Sequence, residues 1–284
     1  MLTFGDGGKF IARVIGGKYD GEILSIIDGS KKAKEKCCVK HNRRCLKKKC
    51  CNDCSYKDDE SSDDDGIGKE LTLDEGIFEQ VPSNPDRIIY ITGPSGSGKS
   101  TYASKYISNY LKCYPKATFY VLSRLDEDKV IDELDPIRIV INEELLDDPI
   151  DITKEFTDHT IILFDDTDTI PDKRLQQMIN RLKVDVMEIG RHMDIKCVIT
   201  SHLVNPNDKT FSRTVMNELN TLTFFPQGGS IRQIKYTMKN YFGFENKQIE
   251  NIISLGKKSR WITLFKCYPQ CVMSEKKMVV ANIL

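Results

Sequence analysis

The run Gly93-Pro94-Ser95-Gly96-Ser97-Gly98-Lys99-Ser100-Thr101 constrains this chain more than any other feature. An apolar, β-like segment over residues 87–92 leads into it. A helical pattern follows, with Ala103, Ile107, Tyr110, Leu111 and Tyr114 on one face. The spacing is G-x-x-x-x-G-K-[ST] in a strand–loop–helix setting. Glycines let the backbone turn tightly, so successive N–H groups point inward as an anion nest. The helix N-terminus adds its partial positive charge. A loop of this kind cradles the phosphates of a nucleotide. Lys99 is expected at the β and γ phosphates, and the Ser100 hydroxyl on Mg²⁺.

A metal held at such a loop needs a carboxylate as well. Residues 160–164 form an apolar run, Thr-Ile-Ile-Leu-Phe, that ends in Asp165 and Asp166. A buried strand delivers acids at its C-terminal edge, where ligands of open α/β sheets bind. Asp165 is expected to hold Mg²⁺ directly or through water, and Asp166 to orient or deprotonate an attacking water. Asp168 is the weaker candidate, because it lies beyond the strand edge and suits a cap on the next helix. A further strand over 196–201 ends in Thr200-Ser201-His202, whose polar side chains suit contact with a terminal phosphate or the lytic water. Ser201 and His202 are the candidates, with Thr200 beside them. Arg191, in the turn Gly190-Arg191-His192, suits either a neighbouring subunit's γ-phosphate, as an arginine finger, or a DNA phosphate.

The rest of residues 86–225 alternates strand-like runs near 117–122, 138–141 and 221–225 with helical patterns. This is the rhythm of a mostly parallel α/β sheet. A helix near 175–189 places Leu175, Met178, Ile179, Leu182, Val186 and Ile189 at 3.6-residue spacing, all expected in the core. Residues 1–29 read as a small β-rich element, with strands near 10–15 and 22–27. Residues 70–284 carry the nucleotide-binding domain, ending in two short helices and a last pair of strands. Between them, residues 30–69 are a Lys/Cys tract and then an Asp/Ser tract. With so few large apolar residues, disorder is expected there unless a metal ties the tract down. Cys38-x₂-His41 and Cys51-x₂-Cys54 have chelating spacing and are the candidate Zn²⁺ ligands. A reduced, basic, disordered arm is the other reading.

Charge is sorted by place. Lys+Arg and Asp+Glu number 42 each, so the net charge is zero and a uniformly cationic chain is excluded. Yet residues 31–49 hold ten bases against one acid, and 226–284 hold ten against three. Residues 119–170 hold sixteen acids against four bases. In the basic end, Lys235, Lys239, Lys257, Lys258 and Arg260 suit a DNA path or a subunit interface, or a solvated helix face. Trp261 reads as core. No apolar run approaches the roughly 18–20 residues of a membrane span. The N-terminus lacks a signal peptide, so the ten cysteines read as thiols or metal ligands rather than disulfides.

The order GPSGSGKST, IILFDD, GRHMDIKCVITSH and SRWITLFKCYPQ resembles the genome-packaging ATPases of nucleocytoplasmic large DNA viruses, poxvirus-type members of the FtsK/HerA superfamily. The resemblance covers about residues 86–272. It implies a RecA-like P-loop core, ATP hydrolysis with Mg²⁺, a ring-shaped homo-oligomer, and translocation of double-stranded DNA into capsids. Capsid proteins would be partners, and the host cytoplasm (the viral factory) or the virion the location. Many hydrolases of this division carry glutamate where Asp166 stands. Two other readings stay open on the residues alone, a P-loop nucleoside or nucleotide kinase and a nucleotide-gated structural adaptor.

Overall fold

The computed structural model describes residues 1–4, 8–27, 69–83, 86–204 and 209–281. The Cys/Lys tract, with Cys38, His41, Cys51 and Cys54, lies outside the described residues. In chain order the strands and helices begin with β1 (Leu2–Phe4), β2 (Lys9–Ile15), β3 (Ile23–Ile26), β4 (Glu70–Thr72), β5 (Ile77–Gln80) and β6 (Ile88–Thr92). Next come α1 (Lys99–Cys113), β7 (Phe119–Ser123), β8 (Ile137–Val140), α2 (Ile152–Glu155), β9 (Ile161–Phe164) and α3 (Lys173–Glu188). The rest are β10 (Lys196–Ser201), α4 (Lys209–Glu218), β11 (Thr221–Phe224), α5 (Ile231–Tyr241), α6 (Asn246–Leu255), β12 (Ile262–Phe265), β13 (Cys271–Ser274) and β14 (Lys277–Val280).

A ten-stranded sheet runs β4-β14-β13-β12-β11-β6-β10-β9-β7-β8. From β11 through β8 every pairing is parallel, and β12, β13, β14 and β4 join antiparallel. This is the mostly parallel α/β architecture that the strand–helix rhythm predicts. Its central strands are continuous apolar runs because helices cover both faces. Residues of β6 and β9 are buried throughout. On one face, α3 buries Leu175, Ile179, Leu182 and Val186 against Phe164 and Ile199. Burying each such side chain contributes about 1.5–3 kcal/mol. Ile189 departs from the expectation. It follows the helix's last turn and is 43% exposed, because the chain turns away there toward β10. On the other face α1 buries Tyr102, Ala103, Tyr106, Ile107 and Tyr110.

The C-terminal part has three strands, not a pair. β14 pairs with β13 on one side and with β4 on the other. The N-terminal strands form a four-stranded antiparallel sheet, β1-β3-β2-β5, whose last member comes from beyond the Cys tract. Its core residues Leu2, Ile11, Val14 and Phe78 pack with Met273, Met278 and Val280 of the large sheet. A buried polar chain adds to that contact. The Tyr102 hydroxyl lies 2.8 Å from both Gln80 Oε1 and Thr263 Oγ1, and Gln80 Nε2 donates to Thr221 Oγ1 at 3.2 Å. No helix among the described residues is long and apolar enough to cross a membrane.

Candidate active site

The parallel strands bring three chain segments to one sheet edge. β6 ends at Thr92 and opens directly into the loop 93–98, from which α1 starts at Lys99. β10 lies beside β6 and ends in Ser201, and β9 lies beyond it and ends before Asp165. The carboxylate strand is thus one strand removed from the loop, with the Thr200–His202 strand between them.

The loop has the backbone that its glycines permit. Gly96 and Gly98 sit at φ 74° and 105°, left-handed values that an L side chain rarely adopts. No side chain caps α1 at Gly98, and no acid occupies its first turn. The orphan N–H groups and the positive end of the helix are therefore free for an anion. Lys99 is buried, with Nζ 3.5 Å from the Pro94 carbonyl and 3.4 Å from Asp166 Oδ1.

Asp165 and Asp166 have different surroundings. Asp165 is buried and accepts a 2.7 Å hydrogen bond from Thr200 Oγ1. Burial raises its pKa, the Thr200 bond opposes that, and the neighbouring Asp166 charge adds to it. Asp166 takes a left-handed φ of 43°. That turn places its carboxylate between Lys99 and His202 Nε2, the latter 3.1 Å from Oδ2. Thr92 Oγ1 and Ser97 Oγ are buried with no hydrogen-bond partner among the described residues, and Asp166 Oδ1 has there only the 3.4 Å ion pair with Lys99. Buried polar atoms are normally paired, so unpaired ones grouped around a phosphate-type loop fit a polar ligand.

Ser201 and Asp168 are paired with each other. The Ser201 hydroxyl lies 2.9 Å from Asp168 Oδ2 and from the Leu203 carbonyl. Asp168 is no helix cap. Its Oδ2 also accepts from the His202 and Leu203 N–H groups, at 2.9 and 3.3 Å, and so fixes the turn that carries His202. The role of Asp168 is not written locally in the sequence, because its partners are 33 to 35 residues away. The signal available was a third acid closely following the Asp165–Asp166 pair.

No protein-family model matches the chain. The Sputnik virophage protein described as "Uncharacterized protein V3" is 44% identical over 207 residues, 72% of this chain and 82% of that protein. The chain belongs to the V3 family. Among solved structures, the genome packaging NTPase B204 from Sulfolobus turreted icosahedral virus 2, in complex with AMPPCP, is 14% identical. The similarity covers 68% of the V3-family chain and 98% of B204, with a TM-score of 0.46. The cytoplasmic domain of the Thermomonospora curvata type VII secretion ATPase EccC is 10% identical over 72% of this chain and 28% of that one, with a TM-score of 0.45.

Other candidates lie apart from this edge. Arg191 is exposed in a turn before β10, at the N-terminal end of the parallel strands. That is about one strand length, roughly 20 Å, from Lys99 of the same chain. Lys235, Lys239, Lys257 and Lys258 are exposed along α5 and after α6. Arg260 belongs elsewhere: its Nη2 is 3.4 Å from where a Cβ on Gly98 would stand. Trp261 is half-buried and packs edge-on against Tyr102, with ring centroids 5.1 Å apart. Among the described residues no group of three or more His, Cys, Asp and Glu is placed to hold a metal.

Proposed function

We propose that this V3-family protein is an ATP-hydrolysing motor that translocates double-stranded viral DNA into capsids, working as a ring-shaped homo-oligomer. The observation that carries the hydrolytic part is the position of Asp166. Its carboxylate stands between Lys99 at 3.4 Å and His202 at 3.1 Å, at the edge where the phosphate loop opens. A carboxylate so placed faces the terminal phosphate of a bound triphosphate and can accept a proton from water approaching it. The loop N–H groups and the Lys99 ammonium would bind the phosphates and take up charge developing on the transferred group. His202 would hold Asp166 in orientation, and Asp168 would hold the turn carrying His202.

The Asp165 carboxylate and the Ser100 hydroxyl are the hard oxygen donors that suit Mg²⁺, a cation that commonly takes one or two protein oxygens plus substrate phosphates. When bound, Mg²⁺ would neutralise charge on the β and γ phosphates. The viral part of the reading is supported by the motif order and by a relative encoded by a virophage. The exposed lysines of α5 and of residues 257 and 258 suit DNA phosphates, and Arg191 suits a finger reaching an adjacent subunit.

The reading is tested by steady-state ATP turnover of the full chain with and without linear double-stranded DNA. The expected result is DNA-stimulated release of phosphate to water, with closed rings in electron micrographs in the presence of a non-hydrolysable ATP analogue. Turnover indifferent to DNA, together with phosphate transfer to a nucleoside, would make the protein a kinase instead.

A further inference from the structure

Beside the phosphate loop lies a narrow cleft of about 80 Å³ that opens to solvent. It begins at Gly98 and Thr101, at the start of α1, and is lined by the aromatic residues Tyr102, Phe225 and Trp261. Strand β5 closes its far side through Phe78 and Glu79. The phosphate chemistry described above uses none of these rings.

Two observations say what fills the cleft. It is continuous with the anion nest, since Gly98 belongs to both and the Phe225 ring lies 3.5 Å from the position of a Cβ on Gly98. A ligand held by its phosphates at the loop therefore has its remaining body at the mouth of the cleft. Second, the exposed Arg260 guanidinium reaches over Gly98 yet forms no ion pair among the described residues. Its backbone N–H is engaged, donating to Glu275 Oε2 at 2.8 Å. A planar cation beside aromatic faces suits a phosphate on one side and a stacked heterocycle on the other.

On the reading of the loop as a nucleoside triphosphate site, we infer that this cleft holds the nucleobase, stacked against Trp261 and Phe225, with Arg260 across its phosphate-side mouth. The small N-terminal sheet then acquires a role in the site. Through β5 it forms a wall of the base pocket, and the buried Gln80–Tyr102 bond ties that wall to α1.

Trp261 is the chain's single tryptophan, so its emission reports on this cleft alone. The full chain is titrated, with magnesium, against ATP and against inorganic tripolyphosphate, which offers phosphates without a base. Binding is followed by calorimetry, and the accessibility of Trp261 by acrylamide quenching. ATP is expected to shield Trp261 from acrylamide, while tripolyphosphate binds and leaves it accessible. Trp261→Ala and Arg260→Ala should each weaken ATP about tenfold or more, with Trp261→Ala leaving tripolyphosphate within about twofold. Arg260 is exposed, so its variant keeps the fold if Trp261→Ala does not. ATP that binds without shielding Trp261, or a Trp261→Ala loss equal for both ligands, overturns the base pocket and leaves the phosphate loop intact. Failure of both ligands to bind overturns the pocket together with the nucleotide reading beneath it.

Discussion

Thr200 and Asp165 are joined through one hydroxyl. Thr200 Oγ1 donates to Asp165 Oδ1 at 2.7 Å and accepts from the Asp166 backbone N–H at 2.8 Å. A single side chain of β10 thus sets the inner carboxylate and the backbone of the outer one. Replacing it by the near-isosteric valine removes both bonds and leaves a buried carboxylate and an N–H unpaired, at a cost of about 1–3 kcal/mol each before relaxation. Thr200→Val should lower the urea midpoint and raise the Mg²⁺ concentration needed for half-maximal turnover. An unchanged Mg²⁺ dependence would mean that Thr200 does not position Asp165.

Asp166→Asn keeps the size of the side chain and removes its basicity. A positioned general base contributes about 10²–10⁴-fold, so turnover should fall at least 100-fold. ATP affinity, measured calorimetrically, should stay close to wild type, because the phosphates are held by the loop and Lys99. If affinity collapses along with turnover, Asp166 is a binding residue. If turnover survives, the protein is a nucleotide-gated adaptor or its base lies elsewhere.

The legible parts of the site were those written locally. Gly93–Thr101 encodes its own backbone, because Gly96 and Gly98 hold φ values that few other residues take, and the strand and helix flanking them show as periodicity. Asp165 and Asp166 were legible because an apolar run ended in them. The insertion of β10 between β6 and β9 was not legible, since strand order depends on crossovers that no local pattern records. Nor was the place of Arg260. It reads as one more base in a basic C-terminal stretch, and only the antiparallel addition of β12 to β11 brings it over Gly98. Ile189 shows the opposite error, where a helical period continued on paper past the turn at which the helix ends.

The two left-handed glycines of the loop separate backbone strain from contact with the cleft. A Cβ on Gly96 meets nothing within 4 Å, whereas one on Gly98 comes 3.4 Å from Arg260 Nη2 and 3.5 Å from the Phe225 ring. Both positions have φ values unfavourable to alanine, a strain of about 1–3 kcal/mol. Gly96→Ala and Gly98→Ala should therefore both lower the melting temperature. Gly98→Ala should in addition weaken ATP more than tripolyphosphate, since its methyl alone would occupy the mouth of the cleft, in van der Waals contact with Arg260 and Phe225. Equal losses of the two ligands in the two variants would dissociate Gly98 from the aromatic cleft.

Lys183 of α3 is buried in the main core, its Nζ 5.7 Å from the Phe164 ring centroid and 4.9 Å from that of Phe211. Burial lowers its pKa from 10.5 to about 8, opposed in part by Cys197 and Asp168. The fold therefore favours the neutral amine. Stability from this group is complete above pH 10.5 and is lost as pH falls through about 8. At neutral pH the buried charge costs roughly 3 kcal/mol, offset by about 1 kcal/mol of cation–π attraction. Lys183→Met should thus be more stable than wild type at pH 7 by roughly 2 kcal/mol, and the gap should narrow toward pH 10. The difference between the two proteins is the informative quantity, because burial raises the pKa of Tyr90, Tyr102 and Cys197, which destabilises both at high pH. Urea unfolding at pH 7 and pH 9.5 measures it. A gap of the same size at both values would show that Lys183 keeps its charge in the core throughout.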